Sequence, residues 1–421
     1  MESREPSEHA VALGKFLLAS GAFLLVLALL ADPGIVARFH FRTPLSSEAL
    51  TETAKSRAVF GLGAAALLAA GVLLLRSRPS RRPPRWVTRA LLASIAGLLP
   101  LTVLERAARP FVERLTTLFQ PDPELGWKHR PSTEDTYWGA RVRINAHGMR
   151  GPERDLAKAA GVRRLLVLGD SVVFGLMLED DSDTFTARLE RELSAPAGRV
   201  IECLNAAVSG WSTRQERLFL ECDGARWLPD LVVLGFVLND VSGLAGDALV
   251  PQLVYSRPEG MPAWLAECGI YLALREHGFR RALAGDSSEA QAHRNRLTPY
   301  HVILQPDSAP VQEAWERTLL ELEGILAWCR ARPVLLVLVA FPFAIQLREP
   351  VPAAPQRILD DFSRARGLPY LDLLPSLLSA QRARGLAETD LFLNGMHPSA
   401  LGNELAAAEL ARFLVERGIL P

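Results

Sequence analysis

The feature that most constrains this chain is a pair of long apolar runs near its start, followed by a weaker third. Val11 to Ala31 is a 21-residue run broken by a single charge, Lys15. At 1.5 Å per helical residue it reaches about 30 Å, the thickness of a bilayer's hydrocarbon core. Ala58 to Leu75 is an 18-residue uncharged run rich in Ala, Leu and Gly. Val87 to Leu104 is the third, with Arg89 close enough to one end to snorkel to the interface. The alternative for the third run is an interfacial or buried helix. The alternative for the first is a cleaved signal peptide. However, the run is longer than a usual signal core, Ala31-Asp32-Pro33 is a poor cleavage site, and two further runs follow. A region 1–104 with three membrane helices (about 11–31, 58–75 and 87–104) is therefore expected, with the lipid bilayer as a partner.

Orientation follows from charge. Arg76 to Arg85 holds arginines at 76, 78, 81, 82 and 85, and loops this positive stay on the cytoplasmic side. With three spans, everything beyond about residue 105 lies outside the cytoplasm. If Val87–Leu104 does not span, the remainder is cytoplasmic instead. The whole chain is neutral, 47 basic against 47 acidic residues. Residues 1–104 carry 12 Lys/Arg and 6 Asp/Glu, so the rest is acidic overall. An acidic region with scattered basic residues gives no reason to expect nucleic-acid binding. Cys203, Cys222, Cys268 and Cys329 show no metal-ligand spacing and are too few for a disulfide scaffold. Cys203 and Cys222 are expected as small buried groups.

Residues 105–160 form a junction rich in turn residues, with Arg141 to Ile144 alternating like a short strand. From 161 to 421 strands alternate with helices. Strands are expected at Arg164–Gly169, Arg199–Leu204, Leu231–Val237, Val334–Phe341 and Leu368–Leu373. Helices are expected at Thr184–Leu193, Thr213–Arg226, Ala309–Arg332 and Leu401–Arg417. This alternation predicts an α/β fold, a parallel five-stranded sheet with helices on both faces. Residues 241–308 are long for a connection and read as an insertion, a lid or substrate wall.

In such sheets ligands bind where the strands end. Gly169-Asp170-Ser171 ends the first strand. Ser209-Gly210-Trp211 follows the second, Asn239-Asp240 the third, and Asn394-Gly395-Met396-His397-Pro398 precedes the last helix. A serine hydroxyl is a weak nucleophile until a base takes its proton, and neutral histidine suits that task. Attack on a carbonyl builds an oxyanion, which needs preorganised donors. The amides of Ser171 and Gly210 and the side-chain NH2 of Asn239 are candidates.

These four blocks, in this order, resemble the SGNH/GDSL hydrolase superfamily over roughly residues 162–421, and the junction resembles that of membrane-linked bacterial members. The resemblance implies a flavodoxin-like three-layer α/β/α sheet in a protein of the bacterial cytoplasmic membrane. It implies Ser171 as nucleophile and His397 as general base, with Ser171, Gly210 and Asn239 forming the oxyanion hole. The implied activity is hydrolysis of an ester-linked acyl group by a serine mechanism. From the expected location the substrate would be an ester-bearing glycan, lipid or small molecule. No metal or organic cofactor is expected. An O-acyltransferase using the same acyl-enzyme, and a membrane-tethered glycan-binding or assembly protein on an inactive hydrolase fold, are the alternatives.

One position departs from the pattern. The family usually has Asp three residues before the histidine, where this chain has Asn394. Three readings stay open: a Ser-His dyad supported by Asn394 or backbone, rescue by Asp390, and weak or lost hydrolysis. Asp170 and Asp240 are expected to support the turns around the site. Trp211 is a candidate to line the pocket. His129, His147, His277, His293 and His301 lack partners at ligand spacing and are expected at the surface or in the core.

Overall fold

The computed structural model describes residues 8–32, 47–76, 100–106, 108, 115–194, 200–243, 260–266, 268–275, 297–348 and 353–420. The chain divides into two compact units, Met1–Arg114 with Met261–Gly278, and Leu115–Gly260 with Phe279–Pro421.

In the first unit, α1 (Glu8–Leu30) and α2 (Ser47–Arg76) pack side by side. Both contain stretches long and apolar enough to cross a membrane, Val11–Leu30 and Thr53–Leu73. The two helices run antiparallel. A Cβ on Gly14 would come within 2.8 Å of Leu75, and one on Gly21 equally close to Leu68. Small residues at such crossings bring helices into van der Waals contact where no water drives association. The opposite faces stay apolar and uncovered, with Phe23, Leu29, Leu62 and Leu73 all more than half exposed. Residues 100–106, the end of the third apolar run, are helical. Residues 87–99 of that run, and most of the arginine-rich loop, lie outside the described residues.

The second unit begins at Leu115. Two hairpins come first: β1 (Phe119–Asp122) pairs with β2 (Gly126–His129), and β3 (Thr133–Tyr137) pairs with β4 (Ala140–Ile144). The main sheet follows, in the order β6-β5-β7-β8-β9, with every neighbouring pair parallel. Its strands are β5 (Val162–Gly169), β6 (Val200–Asn205), β7 (Leu231–Phe236), β8 (Leu335–Ala340) and β9 (Tyr370–Asp372). All five expected strands are present. Every residue of β7 is buried, as is every residue of β5 except Arg163. That is why these strands read as unbroken apolar runs: a parallel sheet is covered on both faces.

The first two helices that support the site are α3 (Ser171–Phe174) and α4 (Phe185–Ser194). They are followed by α5 (Thr213–Cys222) and α6 (Leu238–Gly243). Helix α5 is shorter than expected, because a separate 3-10 turn, Gly224–Trp227, takes over its last residues. The long helix α7 (Ala309–Arg330) buries Val311, Trp315, Leu322 and Ile325 along one stripe, and Trp315 stacks on Phe236 of β7 with ring centres 5.8 Å apart. Helices α8 (Ala354–Arg366) and α9 (Leu374–Arg384) were not anticipated, while α10 (Ala400–Glu416) closes the fold as expected. The four cysteines are free. Cys203 is buried as expected, but Cys222 is exposed, its thiol donating to Glu124 at 2.8 Å.

Candidate active site

The Gly169-Asp170-Ser171 block sits where β5 ends. Asp170 caps α3, its Oδ1 accepting the Val172 N–H at 2.8 Å. This holds Ser171 at the helix start over the sheet edge. The seat is tight. A Cβ on Gly235 of β7 would fall 2.3 Å from Val173 Cγ2, and one on Gly169 would fall 2.4 Å from the same atom. Only glycine on these two adjacent strands lets α3 come so close.

The histidine arrives from the loop before α10. His397 Nε2 lies 2.9 Å from Ser171 Oγ, a hydrogen-bond distance across 226 positions of sequence. Its Nδ1 lies 3.0 Å from Asn394 Oδ1. The same oxygen accepts the backbone N–H groups of Met396 and His397, each at 2.9 Å. A backbone amide can only donate, so the Asn394 atom facing it must be the oxygen. Nδ1 must then carry the ring proton, which leaves Nε2 as an acceptor toward the serine. The side-chain NH2 of Asn394 turns away, to the Met177 sulfur at 3.4 Å. Burial lowers the His397 pKa from its ordinary 6.5 to about 4, so the ring is neutral at physiological pH.

Asn394 thus occupies the acceptor position that sequence reasoning left open. Asp390 does not reach the ring. It is exposed, and its Oδ2 accepts the Ala387 N–H at 2.7 Å. It stabilises its own short helix, and its carbonyl accepts the Ser399 hydroxyl.

Asn239 follows β7, and its NH2 donates to Asp170 Oδ2. One amide hydrogen is so engaged, which fixes the group's plane beside Ser171. Asp240 accepts the Val237 N–H at 2.8 Å and holds the same turn. Burial raises the pKa of Asp170, opposed by hydrogen bonds from Asn239, Val172 and Ser171. Asp240 is pushed up further by burial and the neighbouring Asp170 charge. Glu216 on α5, which sequence reasoning passed over, is fully buried with neither carboxyl oxygen bonded to any protein donor. Burial and then the charges of Asp240 and Asp170 hold its pKa well above the usual carboxylate range.

Gly210 adopts φ +82°, a left-handed conformation that side chains other than glycine's disfavour. Its loop is held by two indoles. Trp127 Nε1 donates to the Ser209 carbonyl at 3.0 Å, and Trp211 Nε1 donates back to the Trp127 carbonyl at 2.9 Å. Trp211 is therefore a buried strut, not a pocket-lining residue. Its polar atom is aimed at the β1–β2 hairpin because a buried indole N–H needs an acceptor. The junction also supplies Arg150, whose buried guanidinium donates to the carbonyls of Gly175 and Leu178 at 2.6 and 2.7 Å and pairs with Asp181 at 2.8 Å. That clasps the loop after the nucleophile. His129 is a core residue packed against Phe119 and Phe174, its pKa lowered by burial to about 3. Among the described residues no group of three or more His, Cys, Asp or Glu is arranged to hold a metal ion.

Ser171 thus stands beside a neutral imidazole at the strand ends of a 2-1-3-4-5 parallel sheet. The sequence profile of the GDSL-like lipase/acylhydrolase family matches residues 167–405. The chain belongs to that family. No curated protein matches it in sequence. Several solved structures are similar. One is a two-domain esterase active on acetylated mannans, at 13% identity and a TM-score of 0.35, covering 62% of this chain and 50% of that one. This chain thus spans about half that esterase's length. An acetylxylan esterase from Geobacillus stearothermophilus gives 14% identity and a TM-score of 0.38, covering 60% of this chain and 94% of that one. The lipase/acylhydrolase from Enterococcus faecalis gives 18% and 0.36, with coverage of 61% and 96%.

Proposed function

We propose that this protein is a membrane-anchored serine esterase that removes an ester-linked acyl group from a glycan or lipid at the outer face of the membrane. The observation that carries the mechanism is the relay Ser171 Oγ–His397 Nε2–Nδ1–Asn394 Oδ1, with distances of 2.9 and 3.0 Å. His397 takes the serine proton as Ser171 Oγ attacks the ester carbonyl. The oxyanion is met by the amides of Ser171 and Gly210 and by the second amide hydrogen of Asn239. The imidazolium then donates its proton to the leaving alkoxide. Water, deprotonated by the same ring, cleaves the acyl-enzyme and restores the hydroxyl. Asn394 keeps the ring in the productive tautomer without supplying charge, and Asp170 and Asp240 hold Asn239 in place.

The anchoring reading rests on α1 and α2 and their uncovered apolar faces. The outward orientation rests on the arginines at 76–85 and on the bundle's geometry. Asp32 just past α1 pairs with Arg57 of α2 at 3.3 Å, and the neighbouring Ser56 donates to the Arg106 carbonyl at 3.1 Å. The end of α1 and the end of the third apolar run thus stand at one level, as three spans require.

A fluorophosphonate probe applied to the detergent-solubilised chain tests the mechanism. Wild type is expected to be labelled, and Ser171→Ala to lose both labelling and hydrolysis of p-nitrophenyl acetate. Equal labelling of folded Ser171→Ala would overturn the assignment.

A further inference from the structure

The segment 261–275 comes from the middle of the insertion, read from sequence as a lid or wall. Yet it belongs to the compact unit that contains α1 and α2. It comprises a short helix, Ala263–Ala266, and a second helical stretch at 269–275. What fastens it there is Glu105, at the end of the third apolar run. The Glu105 carboxylate accepts the N–H groups of Gly269 at 2.7 Å and Ile270 at 2.9 Å, and the Cys268 thiol. Glu105 directly precedes Arg106, whose carbonyl is bonded to Ser56. The segment is therefore tied to the level of Asp32, Arg57, Ser56 and Arg106, the polar rim where the apolar helices end.

Its surface is unusual for a loop in water. Ala266 and Leu272 point inward at 2% and 4% exposure, while Trp264 and Leu274 point outward at 70% and 67%. Both the inward and the outward sides are thus apolar. Leu101 and Leu104, on the helix that carries Glu105, are also apolar and more than half exposed. A large amphipathic indole at the rim of apolar helices is the arrangement found in the headgroup layer of a bilayer.

We infer that residues 261–275 lie in the headgroup layer of the bilayer, fastened to the membrane bundle by Glu105, with Trp264 and Leu274 turned toward the acyl chains. The inference rests on the anchoring reading above. The segment is then a part of the insertion that rides on lipid.

The full chain in phosphatidylcholine vesicles, with and without lipids brominated near the headgroup end of the acyl chain, tests this. Trp264→Phe is compared with wild type, with p-nitrophenyl acetate hydrolysis confirming that the variant is folded. The chain has eight tryptophans, and the quenchable emission is expected to fall in Trp264→Phe by about the share of one indole. A Leu274→Glu variant should shift the remaining Trp264 emission to the red and reduce its quenching. Equal quenching of wild type and Trp264→Phe, in protein that resists alkaline carbonate extraction, would overturn the placement of the segment and leave anchoring intact. Release of the chain by carbonate would overturn both.

Discussion

Replacing Asn394 by Asp asks what a charge at this relay position does. In the structure the Asn394 oxygen already accepts three N–H groups, two from backbone and one from the imidazole. A carboxylate oxygen would keep all three bonds and add a negative charge beside Nδ1–H. At about 4 Å between charge centres and an effective dielectric near 20, attraction to the imidazolium is worth about 4 kcal/mol. The gain is offset at the other oxygen. There the amide that donates to the Met177 sulfur would become a second carboxylate oxygen facing a thioether, with no donor. Leaving a buried acceptor unsatisfied costs about 1–3 kcal/mol. The net favours the imidazolium by about 1–3 kcal/mol, roughly a 5- to 150-fold gain in kcat/KM at neutral pH. The sign on pH is fixed by the same balance. His397 works as a base only when neutral, and its pKa is about 4 in the native protein. Wild-type activity is therefore retained down to about pH 4 and lost below it. In Asn394→Asp the acid limb should move upward, toward the ordinary imidazole value of 6.5. The assay is kcat/KM for p-nitrophenyl acetate from pH 3.5 to 9 on both proteins. An unmoved acid limb would refute the reasoning, even if the rate changed.

Three further outcomes follow from the packing. His129→Phe should flatten the acid loss of stability: the buried ring is held neutral with a pKa near 3, so below 6.5 only the unfolded chain takes up its proton, and melting temperature measured from pH 7 down to 4 should fall less in the variant. Trp127→Phe keeps most of the ring but removes the donor to the Ser209 carbonyl, so kcat should drop about tenfold with KM little changed, from a lost buried hydrogen bond of about 1–2 kcal/mol. Gly235→Ala drives a methyl to 2.3 Å from Val173, so denaturant titration should show a loss of about 1–3 kcal/mol and the rate should fall with it.

The sheet was legible because its strands are buried on both faces and so spell themselves as apolar runs between turn residues. Three of the four site blocks were legible because each follows such a run, and the fourth because it precedes the closing helix. What the sequence pattern hid was held by tertiary contacts. Trp127 and Arg150 lie far from the blocks in sequence, and nothing in their local spacing says that one props the Gly210 loop and the other clasps the loop after Ser171. Gly235 sits inside an apolar strand, where only the neighbouring α3 explains the missing side chain. Helices α8 and α9 mix charged and apolar residues under prolines at their first turns, which blurs their helical period. Rescue by Asp390 stood as one of three open readings because sequence distance does not say which way a carboxylate turns. Asn394 was the harder case, since its orientation depends on two backbone amides that only the folded loop brings to its oxygen.

Ser171 and His397 stand 226 positions apart, and the hydroxyl stays unreactive without the ring. During synthesis on a ribosome, the serine emerges long before its base. The pairing of hydroxyl and ring therefore exists only once nearly the whole chain has been made.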